Sequence, residues 1–146
     1  MADQPPFFNQ ETDYSCVPAC LRMVLAAFGL HRSEDELREL CDCTFLGTDD
    51  LLLIEAARSL GFQAEKHSMN LFDLKDKVSG GVFPIAFIRT LLVAEGKREI
   101  HAVVVFRFSE QGVHMHDPWR GRGLIVQEEE FLQEWRATHC NTVLIE

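Results

Sequence analysis

The feature that most constrains this chain is a change of rhythm at Gly80-Gly81. Before that pair, apolar residues recur at helical spacing; after it, the chain turns to short runs of β-branched and aromatic residues. Cys20, Leu21, Val24, Leu25 and Phe28 mark a first helix that starts at or just before Cys16 and stops at Gly29. Ser33 with Glu36 three residues on is a capping box for a second. A third is expected from Thr48 as N-cap to Leu60, closed by Gly61, and a fourth, capped by Asn70, carries Leu71, Leu74 and Val78. Residues 62–67 alternate as a short strand would. Strands are expected at 83–88, 102–108, 113–116 and 124–126, with turns at 109–112 and at Gly121-Arg122-Gly123, then a helix over 128–135 and a strand over 142–145. Helices first and strands second imply an α+β fold, with helices packed on an antiparallel sheet.

Length and composition narrow the function classes. A chain of 146 residues with 47% apolar and 25% charged residues is expected to fold as one domain, 1–146, with a sizeable core. The formal net charge of −9 excludes non-specific binding to nucleic acid or to an anionic membrane, both of which need a surplus of Lys and Arg. No apolar run is long enough to span a bilayer, and Met1-Ala2-Asp3-Gln4-Pro5-Pro6 lacks the character of a secretory signal. With that opening, an odd number of cysteines, five, implies reduced thiols and a cytoplasmic protein.

Three residue types then point to one kind of chemistry. Cys16 stands where a helix begins, and the free N–H groups and positive dipole end there favour an anion, the attacking form of a thiol. His101 stands at the mouth of a strand and Asp117 at the end of the next, so a hairpin would bring both to the sheet edge. A thiol, an imidazole as base and a third group fixing its tautomer make an acyl-transfer site. Singly, each has a plain structural reading: a small buried hydrophobe for Cys16, a satisfied strand-end histidine for His101, and a turn signal for Asp117-Pro118.

Taken in order, the residues form a longer pattern. Gln10-Glu11-Thr12-Asp13-Tyr14-Ser15-Cys16-Val17-Pro18-Ala19-Cys20-Leu21 resembles the opening of the bacteriocin-processing endopeptidases. Those are papain-like cysteine peptidase domains that precede peptidase-containing ABC exporters and cut leader peptides after a Gly-Gly pair. The resemblance continues through Glu36-Leu37, Gly47-Thr48, Ile54-Glu55-Ala56-Ala57, Leu60-Gly61-Phe62, His101-Ala102-Val103-Val104-Val105, Asp117-Pro118 with Gly121, and Phe131 to Trp135. It implies Cys16 as nucleophile, His101 as general base, Asp117 as orienter and Gln10 as oxyanion donor beside the Cys16 backbone N–H. A neutral amide suits that last role because it stabilises negative charge without offering a competing proton. The implied partners are a peptide or precursor-protein substrate and an ABC exporter encoded separately, with no cofactor and no metal.

Two departures mark the chain out. Val17 follows the nucleophile where many relatives have Gly, and residues 89–100, before His101, look longer than in the exporter domains and would border the groove as a loop. Two alternatives remain open: a catalytically silent peptide-binding module of an export system, and an acyl transferase on the same scaffold. The other candidates carry plain expectations. Cys20 is core, and Cys41-Asp42-Cys43 with His31 lacks the second cysteine pair of a zinc site. His114 and His116 face solvent from one strand face, and Gly80-Gly81 is a turn. Trp119 and Arg120 line the groove or a surface turn, and Phe131, Leu132 and Trp135 form a helix's core face.

Overall fold

The computed structural model describes residues 3–92 and 97–146. Five helices and six strands follow in the order α1 (Cys16–Ala27), α2 (Glu34–Leu40), α3 (Asp50–Ser59), β1 (Ala64–Ser68), α4 (Leu71–Ser79), β2 (Ile85–Leu92), β3 (Lys97–Ser109), β4 (Gly112–Asp117), β5 (Gly121–Val126), α5 (Glu128–Arg136) and β6 (Asn141–Ile145). All six strands join one antiparallel sheet in the order β1-β6-β2-β3-β4-β5. The fold is α+β, as the change of rhythm at Gly80-Gly81 implies.

Local signals set the helix ends. Ser33 Oγ accepts the Glu36 N–H, and Asn70 Oδ1 accepts the Asp73 N–H. Gly29, after α1, and Gly81, after α4, take φ of 87° and 89°, where a side chain would be strained. Thr48 is not the cap of α3: the cap is Asp49, whose carboxylate accepts the Leu52 N–H at 2.9 Å. Both residue types favour that position, and the chain enters α3 one residue later than the sequence pattern implies.

The core lies on both faces of the sheet. Ala102, Val104 and Phe106 of β3 pack with α1, α2 and α3 through Leu21, Val24, Leu37 and Leu53. Val103 and Val105, one step along the pleat, pack with Leu74 of α4 and with Phe131 and Trp135 of α5. Burial on both faces explains why β3 reads as an unbroken apolar run instead of an alternation. Cys20 and Cys41 are buried in the first of these clusters, and Val17 joins them there.

Two expectations fail on extent. Of the expected loop over 89–100, residues 89–92 and 97–100 are strand: β2 and β3 run on as a paired ribbon to Leu92 and Lys97, and positions 93–96 lie outside the described residues. His101 therefore sits four residues inside β3, not at its mouth. The turn expected at Gly121-Arg122-Gly123 falls earlier, after Asp117, and Gly121 opens β5 opposite Asp117.

His114 and His116 are buried, not solvent-facing. The amino-terminal arm lies over His116: its Nε2–H donates to the Pro5 carbonyl at 2.8 Å, its Nδ1 accepts the Gly123 N–H at 3.0 Å, and Phe7 meets its ring edge-on. His114 bonds the Ser109 hydroxyl through Nε2. A single strand cannot announce that a distant segment covers it.

Candidate active site

Three elements, α1, β3 and β4, bring Cys16, His101 and Asp117 together. Cys16 is the first residue of α1, and Ser15 before it makes no side-chain cap, so nothing in that side chain competes for the first-turn N–H groups. His101 and Asp117 come from β3 and β4, joined by the hairpin at Ser109–Gly112. That hairpin carries a bulge: Arg107 pairs with His114, but beyond it Val105 pairs with Met115 and Val104 with His116. His101 Nε2 lies 2.7 Å from Asp117 Oδ1, and both side chains are buried.

Asp117 is held from several sides. Its Oδ1 also accepts the backbone N–H groups of Trp119 and Arg120, at 2.8 and 2.9 Å, and its Oδ2 accepts Arg120 Nε at 2.6 Å. Burial pushes this carboxyl up, but His101 and Arg120 outweigh burial and hold it well below the usual carboxylate range. An ionised carboxylate only accepts, so the proton between the two residues sits on Nε2, leaving Nδ1 for the thiol. Burial opposes charge on His101 as well. The Asp117 and Cys16 hydrogen bonds and the charges of both overcome it and raise the imidazole to about 9. The imidazole is thus the middle member of a thiol–imidazole–carboxylate line.

Gln10 enters from the arm. Its backbone N–H donates to the Pro118 carbonyl at 2.9 Å, tying the arm to the turn that follows Asp117. Its side-chain Nε2 donates to the Thr12 carbonyl at 2.8 Å, which orients the amide and leaves a second N–H. Gln10, Cys16 and His101 line one cleft of about 430 Å³ with Asp13, Tyr14, Phe45, Leu46, Glu99, Ile100 and Trp119. The four residues expected from sequence therefore gather at one place, three in the cleft wall and Asp117 behind His101.

Sequence reasoning missed part of the surroundings. Phe45 and Leu46, 78% and 84% exposed, form an apolar rim with Ile100. Arg120 clamps Asp117 as well as belonging to the turn, and the i,i+3 spacing across Asp117–Arg120 was the available signal. Trp119 lines the cleft, one of its two expected places. Among the described residues no group of His, Cys, Asp and Glu has the arrangement of a metal site, and no described helix is long and apolar enough to cross a membrane.

The same architecture recurs in known proteins. The chain is 36% identical over 114 residues to an uncharacterized protein of Methanothermobacter marburgensis, covering 78% of this chain and 72% of that one. It is 36% identical over 129 residues to the transport/processing ATP-binding protein ComA of Streptococcus pneumoniae, covering 86% of this chain but only 17% of ComA. The crystal structure of the peptidase domain of Streptococcus ComA superposes with a TM-score of 0.77 at 26% identity, over 94% of this chain and 95% of that domain. A double glycine motif protease from an AMS/PCAT transporter, solved with its leader peptide, gives a TM-score of 0.78 at 24% identity over 98% and 91%. A C39-like peptidase from Bacillus anthracis gives 0.80 at 16% identity over 100% and 96%. These last two speak for the fold alone. Residues 4–141, which hold Gln10, Cys16, His101 and Asp117, match the model of the peptidase C39 family, and the chain belongs to that family.

Proposed function

We propose that this chain, as one domain over 1–146, is a cysteine endopeptidase that hydrolyses a peptide bond through a thioester on Cys16. The observation that carries this reading is the buried His101–Asp117 pair, 2.7 Å apart, whose free ring edge meets Cys16 at the start of α1. The Cys16 sulfur attacks the scissile carbonyl carbon, and the new C–S bond drives the carbonyl electrons onto oxygen. The second N–H of Gln10 and the Cys16 backbone N–H hold that oxyanion. As it collapses, the C–N bond breaks and the His101 imidazolium gives its Nδ1 proton to the departing amine. Water then attacks the thioester and gives its proton to His101; the C–S bond breaks, releasing the acid and restoring the Cys16 thiolate beside the imidazolium. Asp117 keeps the ring in the tautomer and orientation that both transfers need.

The substrate we assign is a peptide or precursor protein cut after a Gly-Gly pair. The double glycine motif protease with its leader peptide supports this by analogy of fold, and ComA, a transport/processing protein, suggests an ABC exporter as partner class. Five free thiols fit a reducing, cytoplasmic setting. Cleavage of a random peptide library tests the assignment. Products ending in Gly-Gly are expected, with either glycine→alanine change costing on the order of 1–3 kcal/mol in transition-state binding. A requirement for bulky or charged residues before the cut overturns the Gly-Gly assignment, and absence of cleavage that Cys16→Ala removes overturns the peptidase reading. Transfer to an added amine, read by product mass, would identify an acyl transferase.

A further inference from the structure

Gln10 and Cys16 must share one frame for the reaction proposed above, yet the residues between them belong to no helix or strand. What fixes that connection comes from α2. Glu34, the first residue of α2, has a side chain 0% exposed, and its Oε1 accepts the Glu11 N–H at 2.9 Å. Its Oε2 lies 3.2 Å from Arg38 Nε. Burial pushes this carboxyl up from the ordinary value, and the Glu11 N–H, the Ser15 side chain and Arg38 offset only part of that push. From there the bonds run on toward the cleft. The Thr12 N–H donates to Ser15 Oγ at 3.1 Å, and the Thr12 carbonyl receives the Gln10 amide at 2.8 Å.

The helix itself does not call for a buried carboxylate at this position. Ser33 caps α2, and Asp35 and Glu36, at 88% and 62% exposure, already place negative charge at its first turn. A carboxylate taken fully out of water is costly unless its partners are held in place. Here the Glu11 backbone N–H, next to Gln10, donates to it from outside α2, and the Ser15 side chain adds a second contact from the same segment. Arg38 extends the same grip, contacting the Glu11 side chain at 3.4 Å.

We propose that Glu34 is a positioning residue for the peptidase reaction: it pins residues 11–15 so that the Gln10 amide stays aimed over Cys16. The inference rests on the reading of Gln10 as oxyanion donor. The probe is the p-nitrophenyl ester of acetyl-Gly-Gly, followed by nitrophenolate release. Glu34→Asp keeps the charge and a good first-turn residue but withdraws the carboxylate from the Glu11 N–H; kcat should fall about tenfold or more with KM little changed. Glu34→Gln keeps the length and an acceptor oxygen, and should stay within about threefold of the wild type. In a Gln10→Ala background the Glu34→Asp change should have almost no further effect, because the group it acts through is gone. Iodoacetamide labelling of Cys16, which builds no oxyanion, should be the same in wild type and Glu34→Asp. Wild-type kcat in Glu34→Asp, or an equal loss with and without Gln10, overturns the inference about Glu34 alone. A Gln10→Ala enzyme acylated at the wild-type rate overturns the oxyanion reading, and the role of Glu34 with it.

Discussion

His101 Nε2 and Asp117 Oδ1 stand 2.7 Å apart across the neighbouring strands β3 and β4, and the hairpin that joins them carries a bulge between Val105 and Arg107. From the turn, Ser109 faces Gly112 and Arg107 faces His114. Beyond the bulge Val105 faces Met115 and Val104 faces His116, and a second irregularity lies between Met115 and Asp117. Bulges are common beside reactive groups.

The first expectation concerns that pair. His101, raised to about 9, should be protonated at neutral pH. In Asp117→Asn the ring loses its carboxylate while burial still opposes its charge, so its midpoint should drop by more than a unit. Nitrogen-detected NMR titration of the ring reads this directly. A midpoint unchanged in Asp117→Asn would remove Asp117 from its assigned role.

Reactivity should single out one thiol. Burial pushes Cys20, Cys43 and Cys140 up from the ordinary thiol value and Cys41 up to about 12, whereas Cys16 stands at a helix start beside an imidazolium. Brief treatment with iodoacetamide at neutral pH should modify Cys16 first, as mapped by mass spectrometry. Labelling of Cys43 or Cys140 ahead of Cys16 in the folded protein contradicts the assignment.

Roles within the quartet should separate kinetically. Cys16→Ala and His101→Ala should each remove nearly all turnover, and Asp117→Asn should leave a measurable fraction because nucleophile and base remain. Gln10→Ala should lower kcat by roughly a hundredfold or more with KM little changed, since its free N–H is used mainly in the transition state. A rise in KM at constant kcat would instead make Gln10 a substrate-binding residue.

Stability should follow the same charges. His101, raised from 6.5 to about 9, contributes stability that is complete below pH 6.5 and lost as the pH rises through about 9. Asp117, lowered from 3.8, contributes stability that is present above 3.8 and lost as the pH falls further. The difference in unfolding free energy between wild type and His101→Gln should therefore be widest between pH 3.8 and 6.5 and shrink toward pH 9. The shrinkage should be on the order of 3 kcal/mol. Urea denaturation at a series of pH values measures it, and a gap that widens toward pH 9 would contradict the charge assignment.

Much of this was legible in the chain itself. Capping at Ser33 and Asn70, the stops at Gly29 and Gly81, and the apolar run of β3 are local signals, because each depends on residues within a turn of one another. The order Gln10, Cys16, His101, Asp117 carried the family resemblance before any contact was known. What the sequence could not determine was everything set between segments distant along the chain. The bulge in the hairpin that leads from His101 to Asp117 is a property of a strand pair, not of either strand. Burial of His116 depends on an arm that returns from more than a hundred residues away, as the His116–Pro5 bond records. Glu34 reads as an ordinary first-turn acid, and only its hydrogen bond to the Glu11 N–H, 23 residues earlier, distinguishes it from the exposed Asp35 and Glu36. Local hydrogen bonding and periodicity are written in consecutive residues, whereas register, coverage and the partners of buried charge arise only when the tertiary structure closes.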